Sequence, residues 1–249
     1  MISLKDKKIL ITGASSGIGR STAILLSSLG AELLLTGRNM DALQETGRNC
    51  SGKFHLFSAD LAIDKDVQSL VKLAEDLSGW VHCAGKVLPV PVKFIQEKHL
   101  KEIFDVNFSS AVKLSAVLLQ QKKLKDAASI VFISSVSVMH SYFGGGPYVA
   151  SKAALEGYAR TLALELSSRK IRVNVLRPAL VKTQIYEQTK KATQNEQEFM
   201  AYEKKYPLGI GNPEDIANAC AFFLSDASQW ITGSFLKMDG GLTTGGTIN

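Results

Sequence analysis

Tyr148 and Lys152 stand four residues apart, and Ser135 lies upstream of both. Residues at i and i+4 share one face of a helix, so the Lys152 ammonium group can reach the same site as the Tyr148 phenol. A cation at roughly 4 Å, in an effective dielectric of about 20, favours the phenolate by about 4 kcal/mol before desolvation. A phenol, a cation and a hydroxyl could together move a proton to or from a carbonyl oxygen. Taken alone, the same spacing also fits a helical tyrosine beside an exposed lysine.

A glycine-rich turn follows the first predicted strand, at 12–20. Glycine at 13, 17 and 19 permits a tight turn and a close approach of the backbone to a phosphate. The start of the next helix adds unpaired amides and a positive dipole, which suit a pyrophosphate. The spacing is G-x-x-x-G-x-G rather than the common G-x-G-x-x-G, and a glycine turn without a ligand is the alternative. The strand before and the helix after favour a nucleotide.

Short apolar runs alternate with longer amphipathic segments along the chain. Strands are predicted at 8–12, 32–36, 54–58, 80–82, 129–134, 171–176 and 234–238. Helices are predicted at 17–29, 40–49, 64–77, 97–107, 108–123, 148–168 and 213–225, with N-caps at Asp64 and Asn212. This alternation predicts one α/β domain over 1–249, with a mostly parallel sheet of seven strands and helices on both faces. The polar segment at 182–206 lacks a predicted strand, and we expect a helical insert that covers the substrate.

Composition and charge reduce the number of protein classes to which the chain is expected to belong. The chain has 249 residues, of which 45% are hydrophobic and 21% charged, as in ordinary globular proteins. No apolar run could span a bilayer and the N-terminus is no signal peptide, so a cytoplasmic location is expected. Three separated cysteines indicate reduced thiols, and no metal-ligand spacing is present, so no metal is expected. The net charge of +6 is spread out without a nucleic-acid module, so nucleic acid is not expected either.

A set of motifs runs in order from the glycine turn to the C-terminus. The set comprises Thr12 to Gly19 as T-G-x-x-x-G-x-G, Asp60, His82-Cys83-Ala84-Gly85 in place of N-N-A-G, Asn107, Ser135, Tyr148 with Lys152, Pro178 to Thr183 as P-G-x-V-x-T, and Asp239-Gly240-Gly241. On these motifs the chain resembles the short-chain dehydrogenase/reductase superfamily, of the single-domain type, over essentially its whole length. The resemblance implies a Rossmann-type doubly wound fold and hydride transfer between a nicotinamide dinucleotide and a carbonyl or secondary alcohol. Departures from the motifs include Cys83 in place of asparagine and Ala179 in place of glycine.

The resemblance also implies a role for each site residue. Tyr148 would exchange the proton, Ser135 would orient the substrate oxygen, Lys152 would lower the phenol pKa, and Asn107 would hold a water that connects Lys152 to solvent. The residues implied to bind the dinucleotide are Gly13, Ser15, Ser16, Gly17, Ile18, Gly19, Arg38, Asn39, Asp60, Leu61, Cys83, Ala84, Gly85, Tyr148, Lys152, Pro178, Val181 and Thr183.

The residues at the end of the second strand determine whether a site of this kind prefers NAD(H) or NADP(H). An aspartate there would bind the ribose 2′-hydroxyl and repel a 2′-phosphate. This chain has Arg38 and Asn39 instead, and the guanidinium group is a planar, bidentate phosphate donor. One such contact is worth about 1.5–3 kcal/mol, or roughly a ten- to hundredfold preference. We therefore favour NADP(H), with a solvent-facing arginine as the alternative.

Substrate recognition is less determined by the sequence. Residues expected to line the pocket are Leu88, Val90, Ser137, Val138, His140, Tyr142, Phe143, Ile185 and Tyr186. The leading hypothesis is an NADP(H)-dependent carbonyl reductase or alcohol dehydrogenase. Similarity to 3-oxoacyl-acyl-carrier-protein reductases makes an acyl thioester a candidate substrate, because Arg169 stands where such enzymes often carry a basic residue facing the acidic carrier protein. Ordinary surface charge is the alternative explanation of Arg169, and a sugar, steroid-like or secondary-metabolite ketone is the alternative substrate. A non-catalytic regulatory dinucleotide-binding protein is the alternative from another class, and the resemblance implies a homo-oligomer, commonly a tetramer.

Overall fold

A computed structural model describes residues 2–192 and 196–244 of the chain. Within these ranges seven strands form one sheet in the order β3-β2-β1-β4-β5-β6-β7, and every neighbouring pair is parallel. The strands are β1 Lys8–Thr12, β2 Glu32–Gly37, β3 Phe54–Ser58, β4 Leu77–His82, β5 Leu124–Ile133, β6 Arg172–Pro178 and β7 Phe235–Met238. The predicted α/β fold is confirmed, and the sheet is entirely parallel rather than mostly so.

Helices cover both faces of the sheet. In the described ranges they are α1 Gly17–Ser28, α2 Met40–Arg48, α3 Asp64–Leu73, α4 Glu97–Phe104, α5 Ser110–Gln120, α6 Gly146–Glu165, α7 Gln184–Ala192, α8 Glu196–Glu203 and α9 Pro213–Leu224. One hydrophobic core lies between the sheet and α3, α5 and α6, and the other lies between the sheet and α1, α2 and α9. None of the described helices has the length and apolar character needed to cross a bilayer.

The strands have nearly continuous apolar sequences because a hydrophobic core lies on each face of the sheet. Successive strand residues point to opposite faces, so Leu10 and Trp80 enter one core while Ile11 and Val81 enter the other. The chain leaves β1 toward β2 on one side and leaves β4 toward β5 on the other. The loops after β1 and β4 therefore diverge and leave a crevice at the carboxyl ends of these strands, where ligands of such sheets bind.

The helix predicted at 64–77 is too long. Helix α3 ends at Leu73, Asp76 adopts a left-handed φ of 49°, and Leu77 already pairs with Leu124 as the first residue of β4. Leu77 is buried in the sheet. Its apolar side chain fits a helical period equally well, and only the pairing with a distant strand decides that it belongs to β4.

Two predicted N-caps have different outcomes. The prediction that Asp64 is the N-cap of α3 is wrong, because Asp64 is the first helical residue and Ile63 occupies the capping position. The Asp64 carboxylate nevertheless lies in the first turn, where negative charge is favoured. Asn212 is confirmed as the N-cap of α9, where it forms a capping box with Asp215, and Pro213 is the first helical residue.

Helices α4 and α5 are joined through a π-helical turn at Asp105–Ser109 rather than through a break near residue 107. The Ser110 amide donates to the Asp105 carbonyl, five residues back. Turns of this type insert one residue into a helix and are frequent at functional sites. Asn107 lies inside the turn and its side chain is fully buried.

Candidate active site

A cavity of about 400 Å³ opens at the carboxyl ends of β1, β2 and β4. Its wall consists of Gly13, Ser15, Ser16, Gly17, Ile18, Gly19, Thr36, Gly37, Arg38, Ala59, Asp60, Leu61, Ala62, Cys83, Ala84, Gly85, Lys86, Val87, Val106, Ser110, Thr183, Gln184 and Ile185. The wall contains all of the predicted dinucleotide residues except Asn39, Tyr148, Lys152, Pro178 and Val181. The sequence therefore located most of this wall, although it missed the contributions of β2 and of the π-helical turn.

The glycine turn forms a cradle made of backbone. Gly13 has a left-handed φ of 67°, and a Cβ atom there would lie 2.8 Å from the Ala84 nitrogen. A Cβ atom on Gly19 would lie 2.2 Å from the Gly13 carbonyl oxygen. Side chains are therefore excluded, which leaves the amides at the start of α1 open to the cavity, and the Ser16 side chain makes no capping hydrogen bond to them. This cradle fits the pyrophosphate of a dinucleotide.

The residues after β6 reach this cradle at one point. The Thr183 methyl group would lie 3.2 Å from a Cβ atom on Gly17, so Thr183 closes the cavity above the turn. Val181 is buried and pairs with Gly211, and Pro178 is the last residue of β6. Val181 and Pro178 thus support Thr183 rather than line the cavity.

The opposite end of the cavity carries Arg38 and Asp60. Arg38 is exposed, its carbonyl accepts from the Ser58 hydroxyl at 2.9 Å, and within the described ranges no hydrogen bond or ion pair engages its guanidinium group. The Asp60 carboxylate accepts from the Ala62 amide at 3.0 Å, which fixes its turn. Asn39 does not reach the cavity, because its side chain caps α2 by accepting from the Ala42 amide at 3.0 Å.

Two of the predicted proton-handling groups, Lys152 and Asn107, meet beside Gly85 in the cavity wall. A Cβ atom on Gly85 would lie 3.4 Å from Lys152 Nζ and 3.6 Å from Asn107 Oδ1. Lys152 is buried, and its Nζ donates to the Ile133 carbonyl at 2.8 Å while lying 5.9 Å from the centroid of the Tyr148 ring. Lys152 and Tyr148 project from the first turns of α6, which places them on one helix face.

Asn107 fastens three segments together. Its Oδ1 accepts from the Lys86 amide at 2.7 Å, and its Nδ2 donates to the Lys86 carbonyl at 2.9 Å and to the Ser151 hydroxyl at 3.0 Å. The Ser151 hydroxyl in turn donates to the Tyr148 carbonyl at 2.7 Å. The π-helical turn is thereby tied both to the chain after β4 and to the first turn of α6.

The chain is similar to known proteins over nearly its whole length. The family model described as enoyl-(acyl carrier protein) reductase matches residues 13–243. The chain belongs to the short-chain dehydrogenase/reductase family. The enzymes of this family are oxidoreductases of alcohol and keto groups that use nicotinamide dinucleotides, so the chain is an oxidoreductase of this type.

Its relatives include enzymes with different substrates. A 3-oxoacyl-[acyl-carrier-protein] reductase of Rickettsia conorii is 31% identical over 97% of this chain and 99% of its own length. A D-erythrulose reductase of Gallus gallus is 29% identical over 96% of this chain and 97% of its own length. A solved short-chain dehydrogenase/reductase of Brucella melitensis superposes with a TM-score of 0.88 at 26% identity, over 96% of this chain and 97% of that one.

The phenol of this short-chain dehydrogenase/reductase differs from our expectation in one respect. Burial raises the pKa of Tyr148 above its ordinary value, and a hydrogen bond with the Ser135 side chain only partly opposes this. The prediction that Lys152 lowers this pKa is therefore wrong for the structure. Because Lys152 Nζ is directed at the Ile133 carbonyl and not at the phenol oxygen, desolvation dominates. At neutral pH the phenol is protonated and can donate.

Lys152 itself is perturbed by its surroundings. Burial lowers the pKa of Lys152 to about 8, with the thiol of Cys83 and the carboxylate of Glu156 acting in the opposite direction. The amine is thus still mainly protonated at neutral pH, although its pKa is closer to neutral pH than that of an ordinary lysine.

Cys83 and Ala179 depart from the family motifs without disturbing the backbone around them. The Cys83 backbone amide donates a hydrogen bond to the Thr12 carbonyl at 3.2 Å, which keeps the end of β4 paired with β1. Ala179 donates to the Met238 carbonyl at 2.9 Å and lies outside the cavity wall.

Sequence reasoning missed His82, the residue before Cys83. Its ring is fully buried, and its two nitrogens lie 2.9 Å from Thr12 Oγ1 and 3.4 Å from Ser110 Oγ. Burial, followed by the charge of Lys152, lowers the pKa of His82 to about 3. The only sequence signal was its place in the motif, where histidine replaces an asparagine.

We expect His82 to make the protein less stable as the pH falls below 6.5. The unfolded chain binds a proton at its ordinary pKa of about 6.5, whereas the folded chain binds it only near pH 3, so the free energy of unfolding falls by up to about 1.4 kcal/mol per pH unit in this window. Urea unfolding between pH 6.5 and 5 should therefore show a shallower slope in His82→Gln than in the wild type. Equal slopes in His82→Gln and the wild type would show that His82 does not titrate in this way.

A buried ion pair between Glu156 and Arg177 lies one helical turn beyond Lys152. The Glu156 carboxylate, 3% exposed, receives Nε and Nη2 of Arg177 at 2.8 and 2.6 Å, and it also accepts from the Ser134 hydroxyl at 2.8 Å. Glu156 lies one turn beyond Lys152 on α6, and Ser134 precedes Ser135. The pair therefore joins α6 and β6 to the end of β5.

Removing one partner of this pair should be costly. Arg177→Leu leaves the Glu156 carboxylate buried without its cation, so we expect the free energy of unfolding to fall by about 3–5 kcal/mol. Thermal and urea unfolding measure this loss. Lys113→Met, which removes a cation from the exposed pair with Asp64, is the control and should change stability little. A loss in Arg177→Leu no larger than in the control would show that the pair contributes no net stability.

Proposed function

We propose that the chain is an NADP(H)-dependent carbonyl reductase or alcohol dehydrogenase in which Tyr148 exchanges the proton with the substrate oxygen. The observation that carries this proposal is that Lys152 and Asn107 meet beside Gly85 in the wall of a cavity that also contains a phosphate cradle, with the Tyr148 ring centroid 5.9 Å from Lys152 Nζ. A bound dinucleotide supplies the hydride. The residues of the chain supply orientation, a proton and a fixed charge.

Each group has a task that follows from its contacts. The Ser135 side chain lies close enough to the Tyr148 phenol to lower its pKa, so both can face one substrate oxygen. Because burial keeps the phenol protonated, Tyr148 is prepared to donate a proton as a carbonyl becomes an alcohol. Lys152 adds a positive charge beside the same site, and it is held there by the Ile133 carbonyl. Asn107 keeps the π-helical turn and α6 in register through Lys86 and Ser151.

The choice of NADP(H) is supported by Arg38. The guanidinium group stands at the mouth of the cavity, next to the end of β2, without a partner among the described residues. An uncommitted cation at this place suits the 2′-phosphate of NADP(H). Asp60 and Leu61 line the same end, and we propose that they border the adenine.

A 3-oxoacyl-acyl-carrier-protein reductase is the second candidate, because relatives with that printed name are 31% identical over nearly the whole chain. Arg169 does not strengthen this candidate. Its Nε donates to Asp126 at 2.9 Å and its Nη2 to the Leu124 carbonyl at 2.6 Å, so it fastens the start of β5 rather than facing solvent unpaired. In the loop before α6, the ring centroid of Tyr142 lies 6.5 Å from that of Tyr148. This side of the proposed substrate pocket is therefore aromatic.

The segment after β6 is proposed to cover the substrate. In it, α7 and α8 pack together through Tyr186, whose ring contacts Phe199 and whose hydroxyl donates to Glu203 at 2.5 Å. Ile185 lines the cavity that contains the glycine turn, whereas Tyr186, which we expected in the substrate pocket, packs against α8. Residues 193–195 of the predicted insert lie outside the described residues.

We also propose a cytoplasmic homo-oligomer that pairs through α5 and α6. Leu164 on α6 is 75% exposed, whereas Leu155 and Leu162 on the same helix are buried. Size-exclusion chromatography with light scattering tests the assembly. A dimer or tetramer agrees with the proposal and a monomer contradicts it.

A substrate screen tests the function as a whole. Absorbance of NADPH and NADH is followed side by side with simple ketones, ketoses such as erythrulose, and 3-oxoacyl thioesters with and without the carrier protein. We expect oxidation of NADPH with at least one ketone. Faster turnover of the carrier-bound thioester than of every free ketone would favour the second candidate. Binding of NADPH without turnover of any substrate would favour a regulatory protein instead.

A further inference from the structure

His82 lies between two parts of the site that share no strand or helix. On one side is Thr12, the last residue of β1, whose hydroxyl oxygen also accepts from the Ala84 amide at 3.3 Å. On the other side is Ser110, the first residue of α5, whose hydroxyl donates to the Val106 carbonyl at 2.6 Å. The first side belongs to the phosphate cradle, and the second belongs to the π-helical turn that holds Asn107.

The partners determine which ring nitrogen carries the proton. The Ser110 hydroxyl hydrogen is committed to the Val106 carbonyl, so the Ser110 oxygen can only accept, and His82 Nε2 must donate to it. Nδ1 is then the acceptor and receives the Thr12 hydroxyl hydrogen. The donors follow one direction from the Ala84 amide through Thr12, His82 and Ser110 to the Val106 carbonyl.

The surroundings hold the ring in this orientation and keep it neutral. Trp80 and Phe132 meet the imidazole edge to face, with ring centroids 5.4 and 6.1 Å away. Burial keeps the pKa of His82 near 3, so the ring does not take part in proton exchange at neutral pH. A neutral ring with two committed nitrogens acts as a spacer of fixed length.

We infer that His82 is a positioning residue, which as its Nε2–H tautomer couples the phosphate cradle to the π-helical turn and thereby sets the place of Asn107 beside Lys152. This inference rests on the proposed function. An asparagine at the same position is too short to contact Thr12 and Ser110 together from the end of β4. The long histidine ring is therefore a feature of how this chain, rather than a chain with asparagine there, supports its catalytic group.

The first test reads the tautomer and does not depend on turnover. Long-range ¹H–¹⁵N correlation spectra of the intact ¹⁵N-histidine-labelled protein are recorded between pH 5 and 8, and the His82 signals are assigned by their absence from His82→Asn. We expect Nε2 to be protonated and Nδ1 unprotonated at every pH. The Nδ1–H tautomer, or titration of His82 within this range, would overturn the inference.

The second test is a double-mutant cycle in kcat with a ketone substrate and NADPH. His82→Asn and Ser110→Ala should each lower kcat about tenfold, and the double variant should lose no more than His82→Asn does, because both act through one connection. The control His55→Asn, on an exposed strand position, should retain full kcat.

The outcomes separate this inference from the proposed function. A double variant that loses about a hundredfold, as independent sites would, overturns the coupling. Single variants that lower only stability and leave kcat unchanged also overturn it. If the wild-type protein turns over no ketone, the proposed function fails, and the tautomer measurement alone then decides whether His82 holds the two parts together as inferred.

Discussion

Tyr148→Phe is expected to lower kcat at least about a hundredfold and to leave the dinucleotide Kd almost unchanged. The variant keeps the ring at the start of α6 and removes only the hydroxyl, whose pKa the neighbouring Ser135 side chain lowers. Positioned acid catalysis is typically worth about 10²–10⁴ in rate. Steady-state turnover of NADPH with a ketone measures the first quantity, and quenching of protein fluorescence by NADPH measures the second.

Tyr142→Phe is the matched control for this experiment. Tyr142 lies in the neighbouring loop, with its ring centroid 6.5 Å from that of Tyr148, and burial raises the pKa of its phenol to about 12. Loss of this second hydroxyl should affect KM for the substrate more than kcat, because it is not bonded to the reacting group. Near-normal kcat in Tyr148→Phe would remove the phenol from the mechanism, and a hundredfold loss in Tyr142→Phe would show that the proton had been assigned to the wrong tyrosine.

Arg38→Asp is expected to reverse the cofactor preference. The guanidinium group at the cavity mouth is replaced by a carboxylate that repels a 2′-phosphate and can accept a ribose 2′-hydroxyl. We expect the KM for NADPH to rise roughly ten- to hundredfold or more, since one charge-assisted contact is lost and a repulsion is added. The KM for NADH should change little or fall. Initial rates with both cofactors at a fixed ketone concentration give both values.

Arg48→Asp makes the same charge change nearby without touching the cavity. Arg48 is exposed in the last turn of α2 and is absent from the cavity wall. If the effect of Arg38→Asp arises from contact with the 2′-phosphate, Arg48→Asp should leave both KM values near those of the wild type. Equal losses with NADPH and NADH in Arg38→Asp, or equal losses in both variants, would contradict the assignment.

The parts of the fold that local sequence determines were predictable. Strands β1 and β3 begin and end where the apolar runs do, and the N-cap of α9 follows from Asn212 and Pro213. The glycine turn was recognisable because left-handed backbone and close approach require glycine at fixed spacing. These features need no information from distant residues.

Features set by distant contacts were missed. Leu77 belongs to β4 because it pairs with Leu124, and no local pattern distinguishes it from a helical residue. The partners of His82 are 70 and 28 residues away, so its bridging role could not be read from its neighbours. Arg169 is engaged by Asp126 and Leu124, 43 and 45 residues away, and the sequence alone left it free to face a partner.

The direction of the Tyr148 pKa shift was mistaken for a related reason. Spacing places a cation and a phenol on one helix face, and this predicts attraction. The structure adds desolvation and a competing acceptor, the Ile133 carbonyl, which takes the Lys152 ammonium group. An attraction between two side chains on one helix face is therefore overridden when the cation donates to a backbone carbonyl and the phenol is buried.

A crystal structure of the protein with NADP(H) bound would test the central claim most directly. The account predicts that the dinucleotide lies in the cavity with its pyrophosphate at the glycine turn and its 2′-phosphate at Arg38. It also predicts that the Tyr148 hydroxyl faces the reactive carbon of the nicotinamide ring, with Ser135 beside it. A Tyr148 oxygen directed away from that carbon, or a dinucleotide bound elsewhere on the chain, would contradict the account.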